Sequence, residues 1–312
     1  MDITSLVKDK ALSVGFDVVG ITTAEPVGGE HVEHLQGWLD NGYAADMGYM
    51  HRNFDKRTNP SALLEGAKSV VCVGLNYGPL EDELADEDPA IAEIARFALF
   101  EDYHDFMKDR LREVAGFIVE TVEGGEKFKI CVDSVPLLER ALAQRAGIGF
   151  IGKNRMLINQ EFGLYLLLGE IITTAELTPD KSLDKPCADC DKCIRACPTR
   201  ALQSGGTLDA SKCISYQTIE NKGEIPGDIA RVAGNRVFGC DRCVEVCPYQ
   251  TFAKQKARKN KEFKFQPERL NVKLNELLEM DKERFNELFG DSSLKRTGLE
   301  KIKATIWKYH TS

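Results

Sequence analysis

The chain has 312 residues, of which 43% are hydrophobic and 29% charged, and its formal net charge is -8. That length accommodates about two domains with real cores, and no apolar run is long enough to cross a bilayer. The acidic balance speaks against a chain wholly given to nucleic acid, yet residues 251–312 carry 15 Lys/Arg against 9 Asp/Glu, a net of +6. Such asymmetry suits a polyanion-binding surface or a solvated helical face. Near Met1 no basic segment precedes an apolar run, so export is not expected.

Residues 3–15 have the apolar spacing of a short helix, and 15–21 read as a strand. Helices are expected over 30–41 and 43–51. Residues 68–75, an unbroken Val-rich run, predict a buried central strand. A long helix is expected over 89–123, broken or kinked near Tyr103. Residues 127–132 read as a strand, after which an N-cap and an early proline in Asp133-Ser134-Val135-Pro136 start a helix over 137–145. Residues 163–173 read as another buried strand. Strands alternating with helices argue for an α/β domain over residues 1–178.

Gly147-x-Gly149-x-x-Gly152 has dinucleotide-binding spacing, but it follows a helix and no acidic residue stands at the usual later place. Nicotinamide binding is not expected there. Residues 178–186 read as a linker, 251–267 as a basic connection, and 270–278, 282–289 and 293–309 as helices.

Eight of ten cysteines lie between Cys187 and Cys247. The first run, Cys187-x2-Cys190-x2-Cys193-x3-Cys197-Pro198, has the ferredoxin spacing in which three close thiolates grip one cubane and the fourth reaches a second. Cys213 with Cys240-x2-Cys243-x3-Cys247-Pro248 completes it. Cys187, Cys190, Cys193 and Cys247 are therefore expected to hold one [4Fe–4S] cluster, and Cys197, Cys213, Cys240 and Cys243 the other. Zinc knuckles and disulfides are the competing readings. Cluster ligands fit a reducing cytoplasm. Cys72 and Cys131, in apolar runs, read as core residues. The insertion 214–239 is longer than cluster ligation needs and is expected to serve a neighbouring site.

Two clusters conduct electrons, and the conduit must end at chemistry. Asp133 follows a strand and precedes a helix, the edge where α/β proteins place ligands. Partly desolvated there, it could hold a proton near neutral pH and act as general acid; capping the helix is the alternative. The five histidines are dispersed. His31 and His34, three apart on an expected helix, read as surface residues rather than metal ligands. No Asp-x-His-x-x-Gly pattern offers an axial histidine to a corrinoid.

The combination of Asp133-Ser134-x-Pro136-x-x-Glu139-Arg140, Gly149-Phe150-Ile151-Gly152-Lys153-Asn154, the first cysteine run and Tyr216-Gln217-Thr218-Ile219-Glu220 resembles the epoxyqueuosine reductase family. The likeness implies an α/β corrinoid-binding domain, a ferredoxin-like two-cluster domain over 179–255, and a short basic helical region over 256–312 facing tRNA. It implies a cytoplasmic, monomeric oxidoreductase. Such an enzyme uses cobalamin and two [4Fe–4S] clusters, with a ferredoxin or flavodoxin as donor, to reduce epoxyqueuosine to queuosine at the tRNA wobble position. By motif, Asp133 is the proton donor. Arg57, Phe97, Lys153, Asn154, Leu157 and Ser215 fall on the corrinoid side, and Glu220, Lys222, Lys295 and Arg296 on the tRNA side. The resemblance fades after Phe289-Gly290-Asp291-Ser292-Ser293-Leu294-Lys295-Arg296, where family members often carry further helical repeats. The rivals are a reductive dehalogenase and a ferredoxin-like carrier with no chemistry of its own.

Overall fold

The Val-rich run forms the fully buried strand near the middle of a four-stranded sheet in the computed structural model, which describes residues 2–78, 88–122, 124, 126–183, 185, 187–253 and 260–311. Helix α1 (Ile3–Ser13) is capped by the Asp2 carboxylate, which accepts from the Thr4 N–H at 2.9 Å, and leads into β1 (Val18–Thr23). Then come α2 (Gly29–Asp40), α3 (Phe54–Thr58), β2 (Ser69–Asn76), β3 (Glu93–Ile94), α4 (Tyr103–Thr121), β4 (Phe128–Cys131) and α5 (Glu139–Arg145). A hairpin, β5 (Phe150–Ile151) and β6 (Leu157–Ile158), precedes β7 (Leu166–Thr173).

The sheet runs β1-β2-β7-β4 and every neighbouring pair is antiparallel, with Ile21 opposite Val71 and Ile171 opposite both Val71 and Ile130. Helices α1 and α4 cover one face through Val7, Ala11, Met107 and Leu111. The other face packs on α5 through Leu142 and Ala143, and Cys72 and Cys131 are buried there. The alternation of strands and helices here accompanies an antiparallel sheet. The chain makes long excursions between strands, and these return it in alternating directions instead of through tight crossovers.

The cysteine-rich segment contributes α6 (Lys192–Ala196), α7 (Ile214–Ile219), α8 (Gly227–Ala233), β8 (Arg236–Phe238), α9 (Arg242–Glu245) and α10 (Pro248–Ala253). Helices α11 (Leu274–Glu279), α12 (Lys282–Phe289) and α13 (Leu299–Thr311) follow. They share a core with the strand β8 and the segment before α4, in which Phe289, Leu294 and Ile302 meet Phe238 and Ala98. Phe263 stacks on Phe100 at 4.8 Å. Among the described residues no helix is long and apolar enough to cross a membrane.

Several local expectations change. Residues 43–51 form turns with one 3-10 turn, Gly48–Met50, because Gly42 and Ala45 take left-handed backbone (φ 70° and 49°) that interrupts a helix. The helix expected from residue 89 starts only at Tyr103, where Asp102 caps it; before it the chain pairs β3 in parallel with β8 and makes a 3-10 turn, Arg96–Leu99. Glu123, the expected end of that helix, and residues 254–259 of the basic connection lie outside the described residues.

Neither Asp133 nor Ser134 caps α5, whose N-cap is Leu138 without a side-chain bond. The linker is pinned rather than free: Asp180 accepts from the Ile21 N–H at 2.7 Å and from Lys8 Nζ at 2.5 Å. The glycine run serves packing. Gly147 turns the chain after α5 at φ 75°, and a Cβ on Gly149 would sit 2.5 Å from the Ile158 carbonyl oxygen.

Candidate active site

One cavity of about 620 Å³ lies between the sheet domain and the cysteine-rich segment. Its sheet-side wall is made by α2, Tyr49, Arg57 and the stretch from Leu137 to Arg140; the facing wall carries Cys197, Cys213, Cys240 and Cys243. Burial raises the Cys213 thiol, drives Cys240 up to about 11, and pushes Cys243 well above the usual thiol range, with neighbouring thiols adding to each. Thiols so placed ionise when a cationic centre takes them as ligands, which is the chemistry iron offers. Cys193 and Cys247 likewise feel Cys187, Cys247 feels Cys190, and Cys243 feels Cys193 across the two runs.

Asp133 faces the cavity from a left-handed turn (φ 54°) after β4. Its side chain is 61% exposed, yet it stands deep in the molecule because the space it opens onto is the cavity. The carboxylate Oδ2 is 3.3 Å from His104 Nε2, and His104 Nδ1 is 2.6 Å from Asp102. Arg296 closes the group, with Nη1 3.1 Å from His104 Nε2 and Nη2 3.2 Å from Asp102.

These contacts correct the reading of Asp133 as a proton carrier by burial. The hydrogen bond with His104 holds its carboxyl below the usual range, outweighing desolvation. Burial alone would lower His104, but its bonds to Asp102 and Asp133 outweigh that and raise it. Burial also opposes ionisation of Asp102, and the His104 hydrogen bonds still bring it down to about 2.

A family profile described as "Epoxyqueuosine reductase QueG, DUF1730" matches residues 57–134, and one described as a "4Fe-4S double cluster binding domain" matches residues 186–250. An epoxyqueuosine reductase of Cyclobacterium marinum is 41% identical over 304 residues, covering 97% of this chain and 95% of the relative. The chain belongs to the epoxyqueuosine reductase family. A crystal structure of an epoxyqueuosine reductase with an epoxyqueuosine-modified tRNA-Tyr stem loop is 32% identical, with a TM-score of 0.90 over 98% of this chain and 80% of that one. The Bacillus subtilis epoxyqueuosine reductase, with its aspartate-bearing catalytic loop swung out of the active site, is 31% identical at a TM-score of 0.88, covering 98% of this chain and 80% of that one.

The cavity brings together Arg57, Phe97, Asp133, Asn154, Ser215 and Glu220. Arg57 is buried; its Nη2 donates to the Tyr49 carbonyl at 3.2 Å, while its Nε meets no partner among the described residues. Asn154 both lines the cavity and donates to the Cys243 carbonyl at 3.1 Å. Lys153 points to the first cysteine loop instead: its Nζ donates to the carbonyls of Ala188 (2.9 Å) and Cys190 (3.0 Å), and its N–H to Cys187 Sγ (3.4 Å). Leu157 packs in the core with Ala141 and Leu142.

Of the residues expected to face tRNA, Lys222 and Lys295 are exposed, and Lys301 comes beside Lys222. Arg296 is held at the active site by Asp102 and His104. His31 and His34 are not on the outer surface: they line the cavity, where burial and then Arg155 lower His34.

His104 is the site residue that sequence reasoning missed. Its local signal was slight, an aspartate two residues ahead at a helix start, since Asp102-Tyr103-His104 lacks the later glycine of the corrinoid pattern. Its partners Asp133 and Arg296 are 29 and 192 residues away.

Proposed function

We propose that the protein reduces epoxyqueuosine to queuosine at the wobble position of tRNA, an oxidoreductase reaction that releases the epoxide oxygen as water and leaves a cyclopentene. Each turnover consumes an electron pair and two protons. The observation that carries the reading is one cavity in which Asp133, backed by buried His104, faces four cysteines of the double-cluster segment, in a chain of this family.

We assign Cys187, Cys190, Cys193 and Cys247 to one [4Fe–4S] cluster and Cys197, Cys213, Cys240 and Cys243 to the other, the latter beside the cavity. The cavity residues fit a corrinoid. The orphaned Nε of Arg57 offers a donor, Asn154 and Ser215 offer polar groups at the wall, and Phe97, Leu137, Leu138 and Met156 supply apolar surface. Cobalamin bound there and reduced through the clusters would supply the electron pair that breaks the carbon–oxygen bonds.

The chain's own residues manage the protons. His104 and Asp133 share one: the imidazolium is favoured by two carboxylates, while Arg296, which can only donate, approaches the same Nε2 and favours its unprotonated form. A proton moved from Nε2 to Oδ2 makes Asp133 the acid. His104 is buried, so Asp133 alone can hand it to the epoxide oxygen.

Lys222 and Lys295, with the basic end of the chain, would meet tRNA phosphates, and Glu220 and Arg296 would face the nucleotide entering the cavity. The reading divides the chain into a cobalamin domain to residue 178, a cluster domain to 255 and a basic tail, working in the cytoplasm as a monomer with ferredoxin or flavodoxin as donor.

The test is anaerobic: protein reconstituted with iron, sulfide and cobalamin receives a strong reductant and epoxyqueuosine-containing tRNA, and digested nucleosides are analysed. Cobalamin-dependent queuosine is expected. Cobalamin binding without queuosine would overturn the substrate and move a dehalogenase-like reduction forward; no corrinoid binding at all would leave an electron carrier.

A further inference from the structure

Behind Asp133 lies an acidic pair that the chemistry above does not use. Glu170, at the middle of β7, is 0% exposed, and among the described residues neither of its carboxyl oxygens meets an N–H or O–H donor. Across the sheet it stands opposite Cys72 of β2 and Cys131 of β4. Both thiols are raised by burial and then by Glu170, so neither is an anion or a useful donor to it. The polar group facing Glu170 from the helix side is the carboxyl of Glu139, the first residue of α5. A carboxylate in such a place, with no donor and no cation, is strongly disfavoured against the acid. Burial, with the Glu139 carboxyl beside it, therefore favours the protonated form of Glu170.

Glu139 has a second contact. Its Oε1 accepts the backbone N–H of Asp133 at 2.6 Å. That N–H belongs to a residue at φ 54°, where a side chain other than glycine is strained and persists only when neighbours hold it. The described residues thus form a line: the Glu170 acid, the Glu139 carboxylate, then the Asp133 amide. In the Bacillus subtilis relative the aspartate-bearing catalytic loop is swung out of the active site, whereas here Asp133 reaches His104.

We propose that the Glu139–Glu170 pair, sharing one proton, is the latch that holds the Asp133 loop in its cavity-facing position. Both are positioning residues, and the role assigned to Asp133 in the proposed reaction is the reading on which this rests. With one proton in the pair, Glu139 is an anion that binds the Asp133 N–H strongly. Loss of that proton puts two like charges together in the core, and the loop is released as α5 shifts to separate them.

The other charged or titratable groups facing the pair are Asp133, Arg140, His104 and Tyr103 around Glu139, and Cys72 and Cys131 around Glu170, with Arg145 beyond Cys72. Burial raises Glu139 to about 7 and Asp133 adds to that, whereas the Asp133 N–H, Arg140 and His104 favour its charge; Glu170, with none of these, is pushed up further. The anion of the pair therefore sits on Glu139, at the end nearer Asp133.

The experiment uses the reconstituted holoprotein and two readouts: queuosine turnover, and hydrogen–deuterium exchange of the segment 131–138. Glu170→Gln keeps a neutral donor to Glu139 and is expected to keep most of the turnover and wild-type protection. Glu170→Met removes the donor at similar volume; turnover is expected to fall at least about tenfold with KM little changed, and exchange over 131–138 to rise, with cluster and corrinoid absorption unaltered.

If Glu170→Met fails to fold, Glu139→Leu breaks the latch at the Asp133 end, on a half-buried helix start, and is expected to give the same release. Wild-type turnover and exchange in both Glu170→Met and Glu139→Leu would overturn the proposal, as would a Glu170→Gln variant no better than Glu170→Met. If the wild type made no queuosine, the substrate reading would fail while the exchange readout still decided the latch.

Discussion

Asp133 has access to the cavity, His104 has the favoured proton, and Arg296 biases which of them holds it. Asp133→Asn keeps shape but cannot pass a proton, so turnover should drop about 10²–10⁴-fold while iron content and corrinoid binding stay at wild-type levels; full activity would remove Asp133 as the donor. Arg296→Met tests the third member. Its guanidinium lowers the proton affinity of His104, so removing it should raise that affinity and move the alkaline limb of the turnover profile to higher pH. The sign follows from a raised His104: the proton is present at low pH and is lost as pH rises through the shifted value. A limb that moves to lower pH would place Arg296 elsewhere in the chemistry.

At the scale of elements, the site depends on loops tied to rigid pieces. The β5–β6 hairpin places Lys153 on the carbonyls of the first cysteine loop and Asn154 on the Cys243 carbonyl, so one short segment joins the sheet domain to both cysteine runs. Asp180 ties the connection between the domains to β1 through the Ile21 N–H and to α1 through Lys8 Nζ, two charge-assisted bonds. Asp180→Ala should lower the urea unfolding free energy of the holoprotein by about 1–2 kcal/mol, and an unchanged midpoint would show that the connection is held by other contacts. The N-cap of α4 does double service: Asp102 accepts from the His104 backbone at 3.0 Å and from its ring at 2.6 Å. Helix start and active site are therefore one feature, which is why a helix drawn from residue 89 hid it.

At the scale of the whole molecule, charge is segregated. Along the sequence a net of +6 over residues 251–312 stands on a chain whose overall charge is -8, which suits the polyanion of the proposed function. Lys222→Gln combined with Lys295→Gln should weaken binding of the tRNA stem loop and lower the salt dependence of log K by roughly 0.7 for each phosphate no longer neutralised. Unchanged affinity and slope would move the tRNA-binding surface away from these lysines.

Cysteine spacing, the Asp133 motif and the Val-rich run were legible in the sequence because each is local: a loop must bring three thiolates to one cluster, and a buried strand must be apolar along its length. Sheet direction, the late start of α4, and the meeting of His104 with Arg296 and of Glu139 with Glu170 were decided only by the tertiary structure. The reason is physical. A proton's location depends on which distant groups burial forces together, and that energy is absent until the chain has closed around them.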